Sequence, residues 1–397
     1  MSARTPRHAS LQRSPRRLAR GAGVAALSLA LFAGSSFALA YNDFQTNIDR
    51  HDIDDYLGER PTADGAEPAP LDPSSGEDIN VLILGSDTRT GEVNNEYGET
   101  PEGGQRSDTT MLAHISADRS RVEVVSIPRD SLVTVPRCMM ADGTWVEERT
   151  EAMFNSAFAE GADGGDLGTA AACTIRTVEK LSGVLIDDFV IVDFAGFINV
   201  IDALGGVPMC IPEPINDEKA GLELSAGEQV LGGRDALGFA RARYNVPGSD
   251  GSDIDRIGRQ QELVAAIARE ALSKNLLTDL PKLYRFLDAA TSTLTTGTEL
   301  GSIPTMAGLA YSLRGIDLEN IVFETMPFDW AGNRVRPSAD AEALWEALRN
   351  DEPIHGALNA TGEEPSDEPT VGGTTEEPPE APPLTAEPEA TDTPICP

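Results

Sequence analysis

The chain has 397 residues, with 31 Lys plus Arg against 65 Asp plus Glu and a hydrophobic content of 40%, enough for one large domain or two ordinary ones. The charge is uneven: residues 1–20 hold six arginines and no acid, which leaves the rest at 25 basic against 65 acidic residues, net -40. A body that acidic repels a phosphate backbone, so nonspecific nucleic-acid binding is excluded.

Residues 1–20 form a basic head, and the stretch GAGVAALSLALFAGSSFALAY, residues 21–41, carries no charge and is long enough to cross a bilayer. Arginine before it and acid after it predict an inside N-terminus and an extracellular C-terminal part. Ala38-Leu39-Ala40 would also serve as a signal-peptidase site. The uncharged stretch exceeds an ordinary signal core of roughly 7–15 residues, which favours a retained single-pass anchor. Export follows from either reading and permits disulfides among Cys138, Cys173, Cys210 and Cys396. None has CxxC spacing, which disfavours zinc; Cys138 with Cys173 is the first expected pair and Cys210 with Cys396 the second.

Residues 42–76 are polar and proline-bearing and read as a spacer. Residues 77–350 alternate two hydrophobic periods. Strands are expected at 79–84, 110–115, 122–127, 189–194 and 321–326. Helices are expected at 167–181, 194–204 (closed by Gly205 and Gly206), 232–240, 255–273 and 339–348. The interleaving indicates an α/β domain with one mixed sheet and helices on both faces. Residues 351–397 hold twelve acids and no Lys or Arg, with Pro and Thr between them, and read as a disordered tail.

The strands suggest where chemistry collects. Asp87 follows VLILGS, Arg106 and Asp108 precede TMLAHI, and Arg129 and Asp130 follow VEVVSI. If the first three strands run up, down and up, all five residues meet at one sheet edge, where α/β folds place their sites. Asp87 and Asp108 suit Mg²⁺, or Mn²⁺, which takes oxygen ligands and completes its shell with water and phosphate. The plainer reading is two turn aspartates capping backbone N–H groups.

A second cluster, RARYNVPGSDGSDIDRIGRQQ (241–261), gathers Arg241, Arg243, Arg256 and Arg259 beside Gln260 and Gln261. Converging guanidinium forks favour a diphosphate, whereas dispersed ones make ordinary surface ion pairs. Arg256 and Gln260 share a helix face by i, i+4 spacing, and Arg241 and Arg243 share a direction only if the chain is extended there. Arg259 points to another face and reads as an ion-pairing residue, and His114 as a packed one. There is no Walker loop or GxSxG motif.

The strings NVLILGSD, RSDTTMLAHI, VVSIPRDS, FNSAFAEG, VDFAGFINVIDALGGVP and GFARARY followed by DIDRIGRQQ resemble, in order, the LytR-CpsA-Psr family of cell-wall assembly. The resemblance covers about residues 79–267 and implies a three-layer α/β/α sandwich behind one transmembrane helix. It implies a Mg-dependent phosphotransferase that moves a glycan phosphate from a polyprenyl diphosphate to peptidoglycan, commonly to a muramic acid hydroxyl. It places metal binding on Asp87 and Asp108, and diphosphate binding on Arg129, Arg241, Arg243, Arg256 and Gln260, with Arg106 beside them. Asp87, Asp108 and Asp130 are the carboxylates able to act as base, and the prenyl tail needs an apolar channel. Residues 88–105 and 245–254 are longer than the family pattern. The excess of Arg over Lys resembles actinobacterial proteins, whose glycan would be arabinogalactan. A polyprenyl diphosphatase and a noncatalytic glycan-binding regulator are the alternative functions.

Overall fold

The computed structural model describes residues 15–58, 60, 71–88, 105–273, 279–355 and 396. The expectations for the first fourteen residues of the basic head, for residue 59 and residues 61–70 of the spacer, for 89–104 in the long polar loop, and for 356–395 and 397 in the acidic tail lie outside the described residues.

The apolar runs become a seven-stranded sheet: β1 (Asp49–Arg50), β2 (Ile79–Ser86), β3 (Ser107–Ile115), β4 (Val122–Ser126), β5 (Asp188–Val192), β6 (Leu294–Thr296) and β7 (Ile321–Thr325), in the order β1-β6-β5-β2-β3-β4-β7. β2–β3 and β3–β4 are antiparallel, while β5 joins β2 and β7 joins β4 in parallel. The first strands therefore run up, down and up. The ends of β2 and β4 and the start of β3 share one edge.

Eight helices matter for the site: α1 (Pro15–Asn47), α2 (Leu167–Ser182), α3 (Phe194–Leu204), α4 (Gly233–Arg241), α5 (Asp253–Ala271), α6 (Leu280–Thr293), α7 (Ile303–Leu313) and α8 (Ala339–Arg349). Asp166 and Asp193 start α2 and α3 by accepting from Thr169 N (2.9 Å) and Gly196 N (2.7 Å). Gly205, at φ +87°, ends α3 in the left-handed conformation that favours glycine.

One face of the sheet is sealed. Leu82, Leu84, Leu112, Val125 and Phe189 pack fully buried against α2 and α8, where Phe154, Phe158 and Trp345 fill the space. Each large side chain so buried contributes roughly 1.5–3 kcal/mol. On the other face, α7 covers the lower end through Leu309 and Leu313, and a separate core joins α3, α4 and α5 to the Val207–Ile211 and Gly227–Leu231 hairpin. The architecture is a three-layer α/β/α sandwich.

Two expectations need correcting. The proposed spacer begins inside the fold: β1 pairs with β6, and Ile48, Ile53 and Leu57 are buried, because short apolar residues between acids went unread as core. Phe194 opens α3 rather than ending β5, since the Asp193 cap turns the chain into a helix there. The structure joins Cys138 to Cys173 and Cys210 to Cys396. Within α1, Ala22–Asn47 is long and apolar enough to cross a membrane.

Candidate active site

The site is built where the regular pairing breaks. Gly85 pairs with Thr109, but Ser86 pairs with Ser107, so Asp108 is the extra residue of a bulge in β3. Bulges re-aim side chains, and this one presents Asp108 to Arg129, whose Nη1 donates to Asp108 Oδ1 at 2.6 Å. Asp87, just past β2, is buried; its N–H donates to Arg106 O at 3.0 Å, and Arg106 N–H donates back to Asp87 Oδ1 at 2.6 Å. Arg106 thus enters the site through its backbone.

The arginine segment closes on one carboxylate oxygen. Asp253 Oδ1 lies 3.1 Å from Arg129 Nε, 2.9 Å from Arg243 Nη2 and 2.5 Å from Arg256 Nη2. Arg256 also donates to Asp108 O at 3.0 Å. α4 ends at Arg241 and Ala242 is extended, at φ -58° and ψ 136°, so Arg241 leaves toward Phe194, 4.8 Å from its ring, while Arg243 turns to Asp253. Gln260 is buried and donates to Ala240 O at 3.2 Å. Asp108, Ser126, Arg129, Asp253, Ile257 and Gln260 line a common cleft.

The electrostatics follow from this crowding. Burial works against the Asp108 carboxylate, but Arg129, Arg256 and Arg243 hold it below its ordinary value. Burial likewise opposes the Arg129 charge, and Asp108 and Asp253 more than compensate. Burial, with Arg129 and Arg243 nearby, pushes Arg256 down to about 10, despite Asp253; it stays charged at neutral pH. Three guanidinium groups face two carboxylates. Among the described residues, Arg256 Nε is a buried donor and Asp253 Oδ2 a buried acceptor without a hydrogen-bond partner, while Arg129 Nε keeps only its ion pairs with Asp253 and Asp130. An unmade buried donor such as Arg256 Nε costs roughly 1–3 kcal/mol and suits an incoming anionic oxygen.

A pattern matching the LytR_cpsA_psr family covers residues 42–350. The chain belongs to the LytR_cpsA_psr family. It is 33% identical over 280 residues to the Corynebacterium glutamicum protein named Probable cell wall biosynthesis protein LcpB, covering 68% of this chain and 61% of that one. It is 27% identical to the Oceanobacillus iheyensis protein named Polyisoprenyl-teichoic acid--peptidoglycan teichoic acid transferase TagU, covering 61% of this chain and 67% of TagU. The fold matches the LytR-Csp2A-Psr enzyme from Actinomyces oris with a TM-score of 0.54 at 21% identity, over 78% of this chain and 97% of that one.

In this candidate site the structure brings Asp108 into direct contact with Arg129 and Arg256, and joins Arg243 to them through Asp253. Asp130 stands at the rim, 3.9 Å from Arg129 Nε and 31% exposed. Arg259 differs from expectation: its guanidinium donates to Ala242 O and holds the Arg241–Arg243 link from behind. Sequence reasoning missed Asp253, although its position three residues before Arg256, just after the Ser252 cap, marks an i, i+3 partner. Gln261, noted in the arginine cluster without a role, donates to Ser126 Oγ (2.9 Å) and Glu324 O (3.0 Å) and holds α5 to the ends of β4 and β7.

Proposed function

We propose that this protein transfers a glycan phosphate from a polyprenyl diphosphate-linked glycopolymer to a muramic acid hydroxyl of peptidoglycan, on the extracellular side of a membrane crossed once by α1. The observation that carries this reading is the convergence of Arg129, Arg243 and Arg256 on Asp253, with the buried Arg256 Nε left over, at the carboxyl ends of the strands. TagU, a relative, is named for transfer from a polyisoprenyl-linked polymer to peptidoglycan.

The sheet supports the lipid half of the substrate. Ile83, Ala113 and Val190 lie on central strands yet are only half-buried, whereas Leu82, Leu84 and Leu112 on the opposite face are sealed. Ile83 and Val190 pack only in part against the core that includes Leu309 and Leu313 of α7, and this incompletely covered apolar surface suits a prenyl chain.

Phosphoryl transfer asks the protein for positioning and charge neutralisation. The acceptor hydroxyl attacks the glycan-side phosphorus, the bond from that phosphorus to the bridging oxygen breaks, and polyprenyl phosphate leaves. Arg129, Arg243 and Arg256 neutralise the charge gathering on the leaving phosphate. Asp87 is engaged by the Arg106 backbone and Asp108 by Arg129, so Asp130 is the carboxylate left to accept the hydroxyl proton.

Mg²⁺, or Mn²⁺, fits the donor set. Among the described residues no group of three or more His, Cys, Asp or Glu side chains comes together for a metal. Two carboxylates, Asp87 and Asp108, are what Mg²⁺ uses when substrate phosphates and water supply the remaining ligands. Bound there, the ion would neutralise phosphate charge. The fate of a labelled lipid-linked glycan given to the full chain with Mg²⁺ and peptidoglycan fragments tests the function. Label in peptidoglycan supports transfer, label released to water makes the protein a diphosphatase, and binding without turnover makes it a noncatalytic glycan binder.

A further inference from the structure

Helix α1 does not stop where its apolar stretch ends. The first charge after that stretch is Asp43, and immediately beyond it Phe44 and Ile48 are buried in the domain. The Phe44 ring packs on Tyr284 of α6 with centroids 5.1 Å apart, and Asn47 Nδ2 donates to Asp288 Oδ1 at 3.3 Å. Gln45 Nε2 donates to Gly301 O at 3.0 Å, and its Oε1 accepts from Ile303 N at 3.2 Å. The contacts to α6 advance together along both helices, so α1 and α6 run side by side in the same direction. The start of α6 therefore lies level with the last turn of the apolar segment.

The depth follows from helix geometry. Tyr41 precedes Phe44 by about 4.5 Å at ~1.5 Å per residue. The headgroup layer on each side of a bilayer is roughly 5–8 Å deep, the difference between a ~30 Å core and a ~40–45 Å whole. With α1 spanning a bilayer, the first turn of α6 falls within that layer.

What surrounds this turn is apolar. Lys282 lies beside Gly205 at the end of α3 and pairs with Glu270 of α5 at 3.2 Å, so three helix ends meet there. Around the junction Val230 is 64% exposed, Tyr284 45% and Leu272 37%. Val230 lies against Gly206, where an added Cβ would come within 2.6 Å of Val230 Cγ1, and Leu272 follows Glu270 by two residues. Arg285 supplies basic charge beside them, Lys282 being paired with Glu270. Exposed aliphatic residues, a tyrosine and a flanking basic residue form the combination that settles at a lipid headgroup boundary.

We infer that Val230, Leu272 and Tyr284 rest on the outer leaflet, so that the domain is docked on the bilayer from which its donor comes. This rests on α1 being a retained anchor. The test places the photocrosslinker p-benzoylphenylalanine singly at Leu31, Val230, Leu272 or Trp145 of the full chain reconstituted in phospholipid vesicles, and measures covalent lipid adducts. Leu31 lies within α1, and Trp145 is an exposed site on a separate hairpin. The docked arrangement gives adducts at Val230 and Leu272 about fivefold above Trp145, approaching those at Leu31. Adducts at Leu31 with only the Trp145 level at Val230 and Leu272 overturn the docking and leave the anchor standing. No adduct at Leu31 removes the anchor and the docking with it.

Discussion

Asp253 and Arg256, one turn apart at the start of α5, form a 2.5 Å ion pair in which both side chains are more than nine-tenths buried. The same carboxylate oxygen also holds Arg129 and Arg243, so one acid sets the geometry of the three guanidinium groups proposed to bind the diphosphate. Asp253→Asn keeps the shape and removes the charge. It is expected to lower kcat/KM by about 100-fold through misplaced arginines. It should also cost roughly 3 kcal/mol of stability, because buried guanidinium charge loses its partner. Urea unfolding and steady-state kinetics on the same preparation check both; a variant with unchanged kcat/KM removes Asp253 from the site.

Much of this arrangement was legible in the sequence, for identifiable reasons. Apolar runs such as INVLIL and VEVVSI, short and rich in β-branched residues, read as buried strands, and an up-down-up order, if adopted, brings Asp87, Asp108 and Arg129 to one edge. Asp253 escaped notice because an acid in an acid-rich loop carries no compositional signal; its i, i+3 spacing to Arg256 is the one mark it leaves in the sequence. Helices α6 and α7 were also missed. α7 contains no buried residue, and among the described side chains of α6 only the polar Thr291 is buried, so the apolar stripe that reveals a core-facing helix is weak in both.

Asp130 is expected to take the proton of the attacking hydroxyl. Asp130→Asn should reduce turnover by about 10²–10⁴-fold, the usual contribution of a general base, while leaving donor affinity close to that of the parent protein. Separate measurement of donor Kd and single-turnover rate distinguishes this from a binding defect. Unchanged turnover assigns the proton to another carboxylate.

The half-open sheet face carries a size test. Ile83→Trp adds bulk where the prenyl chain is expected to lie. It should weaken long-chain polyprenyl donors by about tenfold, on the order of 1.4 kcal/mol, through lost apolar burial. Donors with one or two isoprene units should be little affected. Equal loss for both lengths would show that Ile83 acts on folding or on the diphosphate site.

Asp187 governs a pH dependence distant from the arginines. Burial, with Asp78 and Asp188 close by, pushes its pKa up to about 7, against the pull of the Asn80 backbone N–H and Arg60. An acid with a raised folded-state pKa binds more protons folded than unfolded, so its contribution makes stability fall as pH rises from about 4 through about 7. Asp187→Asn keeps an acceptor for Asn80 N–H and removes the titration. Urea midpoints between pH 4.5 and 7.5 should decline less steeply in the variant than in the parent; parallel curves would exclude Asp187 as the cause.

The most direct measurement uses a lipid-linked glycan donor whose diphosphate is phosphorus-labelled only on the glycan side, given to the full chain with peptidoglycan acceptor and Mg²⁺. Attack at that phosphorus predicts label in a phosphodiester on peptidoglycan, with unlabelled polyprenyl phosphate released in equal amount. Labelled glycan phosphate free in solution, or label remaining with the polyprenyl product, would contradict transfer by this site.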